Sequence, residues 1–194
     1  MNVKNARQRA QWRISASEDG RLAFYTQRVD AEPLLREVAI SLEKADLEAV
    51  LIGNAAAALQ GAPVTTVDFD FMFRKTARNM SKLKDVSRRL NATILRPYYP
   101  VSELYRMVRD DDGLQVDFMS TIHGVRSFAG LRDRSTAVVL GGAALRVASL
   151  ADIIASKRAA RRPRDLAVID ILEAAHGSQT GQPARPARGT RSRK

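Results

Sequence analysis

Three carboxylates stand inside strongly apolar stretches: Asp68 and Asp70 in VDFDFMF, and Asp117 in LQVDFM. Side chains two apart on a strand share a face. Asp68 and Asp70 are therefore expected to point one way, with Val67, Phe69 and Phe71 pointing the other. Acids planted in apolar strands are costly unless something pairs them, and acids brought close together repel. Either each carboxylate pairs with an arginine or lies at an exposed edge, or a shared divalent cation collects all three. Carboxylate oxygens suit Mg2+ or Mn2+. Upstream, the apolar run AVLI ends at Gly53-Asn54 and opens an alanine-rich helix. A glycine there lets phosphate oxygens approach the main chain. A helix N-terminus adds N–H donors and a partial positive charge, and Asn54 is a good helix cap. Thirteen residues separate Asn54 from Asp68, so a phosphate cradle would precede a metal-binding strand. An ordinary turn with a helix cap reads the same way.

The elements that must position these residues follow from the pattern. Pro33 starts a helix that runs to Asp46, with Leu34, Leu35, Val38 and Leu42 on its period. A short buried strand follows at 49–52, then helix to Gln60, broken by Gly61-Ala62-Pro63. Residues 65–73, β-branched and aromatic, read as one strand. A basic helix spans Ala77 to Leu90. Strands 103–109 and 114–119 surround Asp110-Asp111-Asp112-Gly113, and strands 138–140 and 144–147 surround Gly141-Gly142. Ser149, with Asp152 three residues on, opens a helix to about Arg161. Another runs from Arg164 to Ala175 and stops at Gly177. At the front, WRISAS and RLAFYT flank Asp19-Gly20, a hairpin signal. The expectation is an α/β (α+β) fold, a mixed twisted sheet with flanking helices and a helical C-terminal segment.

The 194 residues carry a net charge of +11, concentrated at the ends. Residues 1–30 hold six Lys/Arg against three acids, and residues 177–194 hold five against none. Such ends attract phosphate backbones without sequence preference. Residues 1–30 read as a basic arm or hairpin, 31–176 as the folded domain, and 177–194 as a disordered basic tail. Zero cysteines exclude disulfides, thiolate zinc sites, iron–sulfur clusters and cysteine nucleophiles. With only His123 and His176, a multi-histidine metal site or histidine relay is not expected. No apolar run reaches the roughly 18 residues of a spanning helix, and the basic N-terminus lacks a secretory leader's apolar stretch. The expected location is the cytoplasm, with no membrane partner.

Together, LIGNAAAALQGAP, TTVDFDFMF and LQVDFM resemble the signature of the polymerase-β-like nucleotidyltransferases. Those proteins have a glycine pair opening a helix, an apolar-flanked Asp-x-Asp, and a third acid on a later strand. Asn54 stands where that family usually has Gly or Ser. SLADIIASKRAARRPRDLAVIDIL is similar to the helical end of small bacterial members, among them toxin-like nucleotidyltransferases of abortive-infection type. Lys157 and Arg162-Pro163-Arg164-Asp165 carry that likeness, which covers roughly residues 35–175.

The resemblance implies a nucleotidyltransferase-like domain at 31–176. It implies transfer of a nucleoside monophosphate from an NTP such as ATP to an RNA (tRNA included) or protein acceptor. Asp68, Asp70 and Asp117 would be both catalytic residues and ligands for two Mg2+ (or Mn2+) ions about 4 Å apart. Gly53 and Asn54 would hold the terminal phosphates. Lys157 and Arg161, four apart on a helix, would neutralise the triphosphate. A toxin role would bring an antitoxin partner. The second reading is a non-catalytic basic nucleic-acid-binding protein that keeps the fold. Retention of all three acids favours the enzyme.

Overall fold

The computed structural model describes residues 12–16, 22–26, 31–66, 68–95 and 104–181. The Asp19-Gly20 turn, the chain before Trp12 and the tail beyond Gly181 lie outside the described residues. In chain order the elements are β1 (Trp12–Ala16), β2 (Leu22–Thr26), α1 (Ala31–Lys44), β3 (Ala49–Ile52), α2 (Gly53–Ala58), β4 (Thr65–Thr66), β5 (Phe69–Phe73) and α3 (Ala77–Arg89). They continue with β6 (Thr93–Leu95), β7 (Leu104–Arg109), β8 (Leu114–Met119), α4 (Phe128–Arg134), β9 (Thr136–Leu140), β10 (Ala143–Val147), α5 (Leu150–Ala160) and α6 (Pro163–Thr180).

Seven strands form one mixed sheet in the order β6-β7-β8-β5-β3-β10-β9. β5 and β8 pair in parallel, as do β3 and β10, and the remaining neighbours are antiparallel. The expected hairpins β7–β8 and β9–β10 are present, as is the antiparallel pairing of β1 with β2. The core centres on β5 and β8. Phe71 stacks on Phe118 with ring centroids 5.3 Å apart, and Phe73 meets Phe118 edge-on. These rings, with Leu35, Leu51, Leu83 and Leu145, are almost fully removed from water. Burial on this scale supplies the main drive for folding. Ser149 accepts from the Asp152 amide and donates back to its carboxylate, as its spacing predicted.

Three expectations need correction. Residues 65–73 do not make one strand. Thr65–Thr66 pair with β1 in a separate three-stranded sheet, β2-β1-β4, before the chain bends at Asp68 and enters β5. Gly177 does not end the last helix. α6 continues to Thr180 and is capped by Gly181 at φ 68°. Ser178 and Thr180 return their hydroxyls to the Ala174 and His176 carbonyls, and Gln179 donates to the Gln60 carbonyl. Tertiary anchorage thus overrides the glycine's weak helix propensity. Asn54 does not cap α2. Its Nδ2 donates to the Thr65 carbonyl at 2.8 Å, tying α2 to β4.

Candidate active site

Asp70 sits in β5 between two register partners, Ile52 of β3 and Asp117 of β8. Parallel pairing in this register places two carboxylates side by side. Asp68 joins them from the bend ahead of β5. The Thr66 hydroxyl lies 2.7 Å from the Asp68 carbonyl and 3.3 Å from Oδ1, while Gln115 Nε2 donates to Asp68 Oδ2 at 3.0 Å. One carboxylate oxygen from each of the three aspartates lies within 4.8 Å of the others.

The electrostatics of the cluster are strained. Burial, reinforced by the charges of Asp68 and Asp117, pushes the Asp70 carboxyl up to about 7. Lys157 and Arg164 pull it the other way. Burial and then the Asp117 charge raise Asp68 as well, against the charges of Arg106 and Arg164 and the Thr66 hydrogen bond. Asp117 is the most buried, with its side chain 5% exposed. Arg106, its cross-strand partner on β7, holds it with both arms: Nε to Oδ1 at 2.7 Å and Nη2 to Oδ2 at 2.5 Å. These hydrogen bonds, the largest influence on it, lift the Arg106 guanidinium above its usual value.

The three acids open on a cleft of about 820 Å³ whose lining includes Gly53, Asn54, Arg106 and Lys157. The N-terminus of α2 carries no side-chain cap, and the first amides of a helix have no intrahelical partner. Gly53 has φ +69°, and the space over its Cα is filled by the Asp70 carboxylate. Asn54 Oδ1 is buried without a partner. That atom accepts only, so the Asn54 side chain suits a hydroxyl or amine donor and not a phosphate oxygen. Lys157 Nζ lies 3.2 Å from Asp165 Oδ1, both side chains being mostly buried.

Arg161 is not part of the cleft lining. It is the exposed C-cap of α5 in a left-handed conformation, φ 52°. Arg162 and Arg164, just past that turn, line the cleft in its place. Sequence spacing thus brought six of its seven candidate residues together and misplaced one. It did not single out Arg106 or Gln115. Arg106 carried a usable signal, since mirroring the chain about the Asp110–Gly113 turn sets it opposite Asp117.

The donor set is three carboxylates with no nitrogen or sulfur, within one ion's reach of each other. It fits a hard divalent cation such as Mg2+ or Mn2+.

The fold is similar to that of solved structures. Two solution and crystal structures of the antibiotic-resistance factor ANT(2'')-Ia superpose on the chain. The solution structure gives a TM-score of 0.55 at 13% identity, over 76% of this chain and 84% of that one. The crystal structure, solved with adenylyl-2''-tobramycin, gives 0.53 at 14% identity over 76% and 90%. No protein-family model and no curated relative matches the chain. Among the described residues, no helix is long and apolar enough to cross a membrane.

Proposed function

We propose that this protein is a metal-dependent nucleotidyltransferase that moves a nucleoside monophosphate from an NTP, ATP among them, to an RNA acceptor. The observation that carries the reading is the meeting of three carboxylate oxygens within 4.8 Å beside the uncapped start of α2. Asp68, Asp70 and Asp117 would hold Mg2+ or Mn2+. When bound, the metal supplies the positive charge that such a displacement needs at the attacking and leaving oxygens.

The chain's own residues supply the rest. The first amides of α2 face the leaving phosphates, and Lys157 and Arg164 offset their charge. The acceptor hydroxyl gives its proton to Asp117. Its oxygen bonds to the α-phosphorus, the bond to the β-phosphate breaks, and pyrophosphate leaves.

The cleft's remaining acids bear on the acceptor. Asp152 and Asp165 are both committed, to Arg134 at 2.6 Å and to Lys157 at 3.2 Å. Arg162 and Arg164 line the cleft exposed. Among the described residues of the cleft, a polycationic sugar would find no free carboxylate outside the triad, whereas a phosphate backbone finds cations. We therefore place RNA, tRNA included, ahead of a protein acceptor. In keeping with the abortive-infection resemblance of the α5–α6 segment, we place the enzyme in the cytoplasm as the toxin of a toxin–antitoxin pair.

The test is incubation with each labelled NTP, Mg2+ and either total RNA or total protein, with Asp70→Asn alongside. Label in RNA, absent with Asp70→Asn, is expected. Label in protein alone reassigns the acceptor. Label in neither overturns the reading in favour of a non-catalytic nucleic-acid-binding protein.

A further inference from the structure

Arg106 covers both oxygens of Asp117 in a paired, two-armed contact, the strongest geometry available to an ion pair. Asp117 has no other outlet, because its side chain is 5% exposed and lies within the triad. Arg106 is 38% exposed and carries a long flexible stem. Of the other nearby cations, Lys157 is committed to Asp165, and Arg164 acts on Asp68 and Asp70 through its charge, without a hydrogen bond to either. Arg106 is therefore the single side-chain cation seated directly on the triad among the described residues, and it is the partner free to move.

Resting on the metal reading above, we propose that Arg106 is a resident counter-cation. It occupies the third carboxylate in the metal-free protein and must release Asp117 before that carboxylate can serve as a metal ligand. A guanidinium left on Asp117 would face a divalent cation a few ångströms away in a partly dry cleft, where like charges are weakly screened. Arg106 lines the cleft, so that on release it can meet an anionic ligand there. Arg106 is thus a positioning residue that sets metal affinity, with no part in the chemistry itself.

The experiment titrates Mn2+ into the full chain and follows free Mn2+ by electron paramagnetic resonance, with folding checked by circular dichroism. Wild type, Arg106→Gln, Arg106→Lys and Asp70→Asn are compared. Arg106→Gln is expected to bind Mn2+ roughly tenfold more tightly than wild type, the order of one removed like-charge contact. Arg106→Lys, a point charge that cannot cover both oxygens, is expected to fall between them. Should Arg106→Gln fail to fold, Arg106→Lys carries the comparison. As a second readout, the Nε–H resonance of Arg106 in the wild type is expected to move on saturation with Mg2+. Wild-type binding that Asp70→Asn abolishes, with unchanged affinity in the Arg106 variants, overturns this inference and leaves the metal reading standing. An unmoved Arg106 resonance at saturating Mg2+ overturns it too. No Mn2+ binding by any of the four proteins overturns the metal reading, and this inference with it.

Discussion

Gly53 and Asp70 share one small volume: a Cβ built on Gly53 would lie 2.5 Å from Asp70 Oδ2. The glycine before α2 therefore does two things. It adopts a φ of +69° that other residues resist, and it leaves room for a carboxylate against the main chain. Gly53→Ala should cost roughly 1–3 kcal/mol of stability from backbone strain alone. It should also weaken Mn2+ binding by displacing Asp70. Denaturant titration and Mn2+ titration read the two effects separately, and Gly113→Ala, whose glycine has φ +74° and open space, controls for strain.

Asp70 makes metal-free stability fall as pH rises. Folded, it keeps its proton to about pH 7, against 3.8 for an ordinary aspartate. Between those values the folded state binds the extra proton, so its stabilising effect is complete below pH 3.8 and lost by the time pH passes 7. The loss is at most about 1.4 kcal/mol per pH unit. Asp70→Asn cannot ionise. In EDTA it should therefore match wild type near pH 4 and exceed it progressively toward pH 8, as measured by urea unfolding. A constant difference across that range contradicts the assignment.

Lys157 and Asp165 form a nearly dry ion pair, with side chains 12% and 13% exposed. Removing one partner strands the other's charge, a loss of about 3 kcal/mol. Lys157→Ala should show that loss. Asp165→Asn in the Lys157→Ala background should recover part of it, which thermal unfolding of the double variant will measure.

Arg109 tests stability away from the cleft. It joins Glu37 of α1 to Asp112 of the β7–β8 turn, each at 2.7 Å, and donates to the Leu90 carbonyl. Arg109→Ala should destabilise by roughly 1.5–3 kcal/mol, the scale of a hydrogen bond to a charged group. Mn2+ affinity should be unchanged under folding conditions.

Residues 182–194 carry Arg185, Arg188, Arg191, Arg193 and Lys194 with no acid. Their deletion should weaken RNA binding at low salt and flatten its salt dependence by about 0.7 in log–log slope per lost phosphate contact. Cutting at Gln182 spares α6, whose Gln179 holds Gln60. Identical slopes for both proteins would show that the tail does not touch RNA.

The strands that carry the acids were legible because period-2 alternation and aromatic content mark them plainly. Asp68, Asp70 and Asp117 stood out as charges that alternation could not explain. The split between β4 and β5 was not legible, since it depends on Thr65–Thr66 being claimed by β1, a partner remote in sequence. Arg161 was misplaced because helical spacing from Lys157 assumes a continuing helix, and α5 ends at Arg161 in a left-handed turn. Arg106 lay hidden in the hairpin register. Its role needs the pairing of Arg106 with Asp117 together with that of Asp117 with Asp70, and only the assembled sheet states both.

The β7–β8 hairpin has a consequence for the order in which the chain assembles. Its strands are joined by a short turn, and a hairpin of this kind closes in about 1–10 μs. The parallel pairing of β8 with β5 spans a far longer loop and must come later. Asp117 therefore reaches Asp70 already escorted by Arg106. When β8 meets β5, the charge that Asp117 brings to Asp70 is already offset. The arginine that pairs with Asp117 in the finished cleft also offsets its charge while the protein is being built.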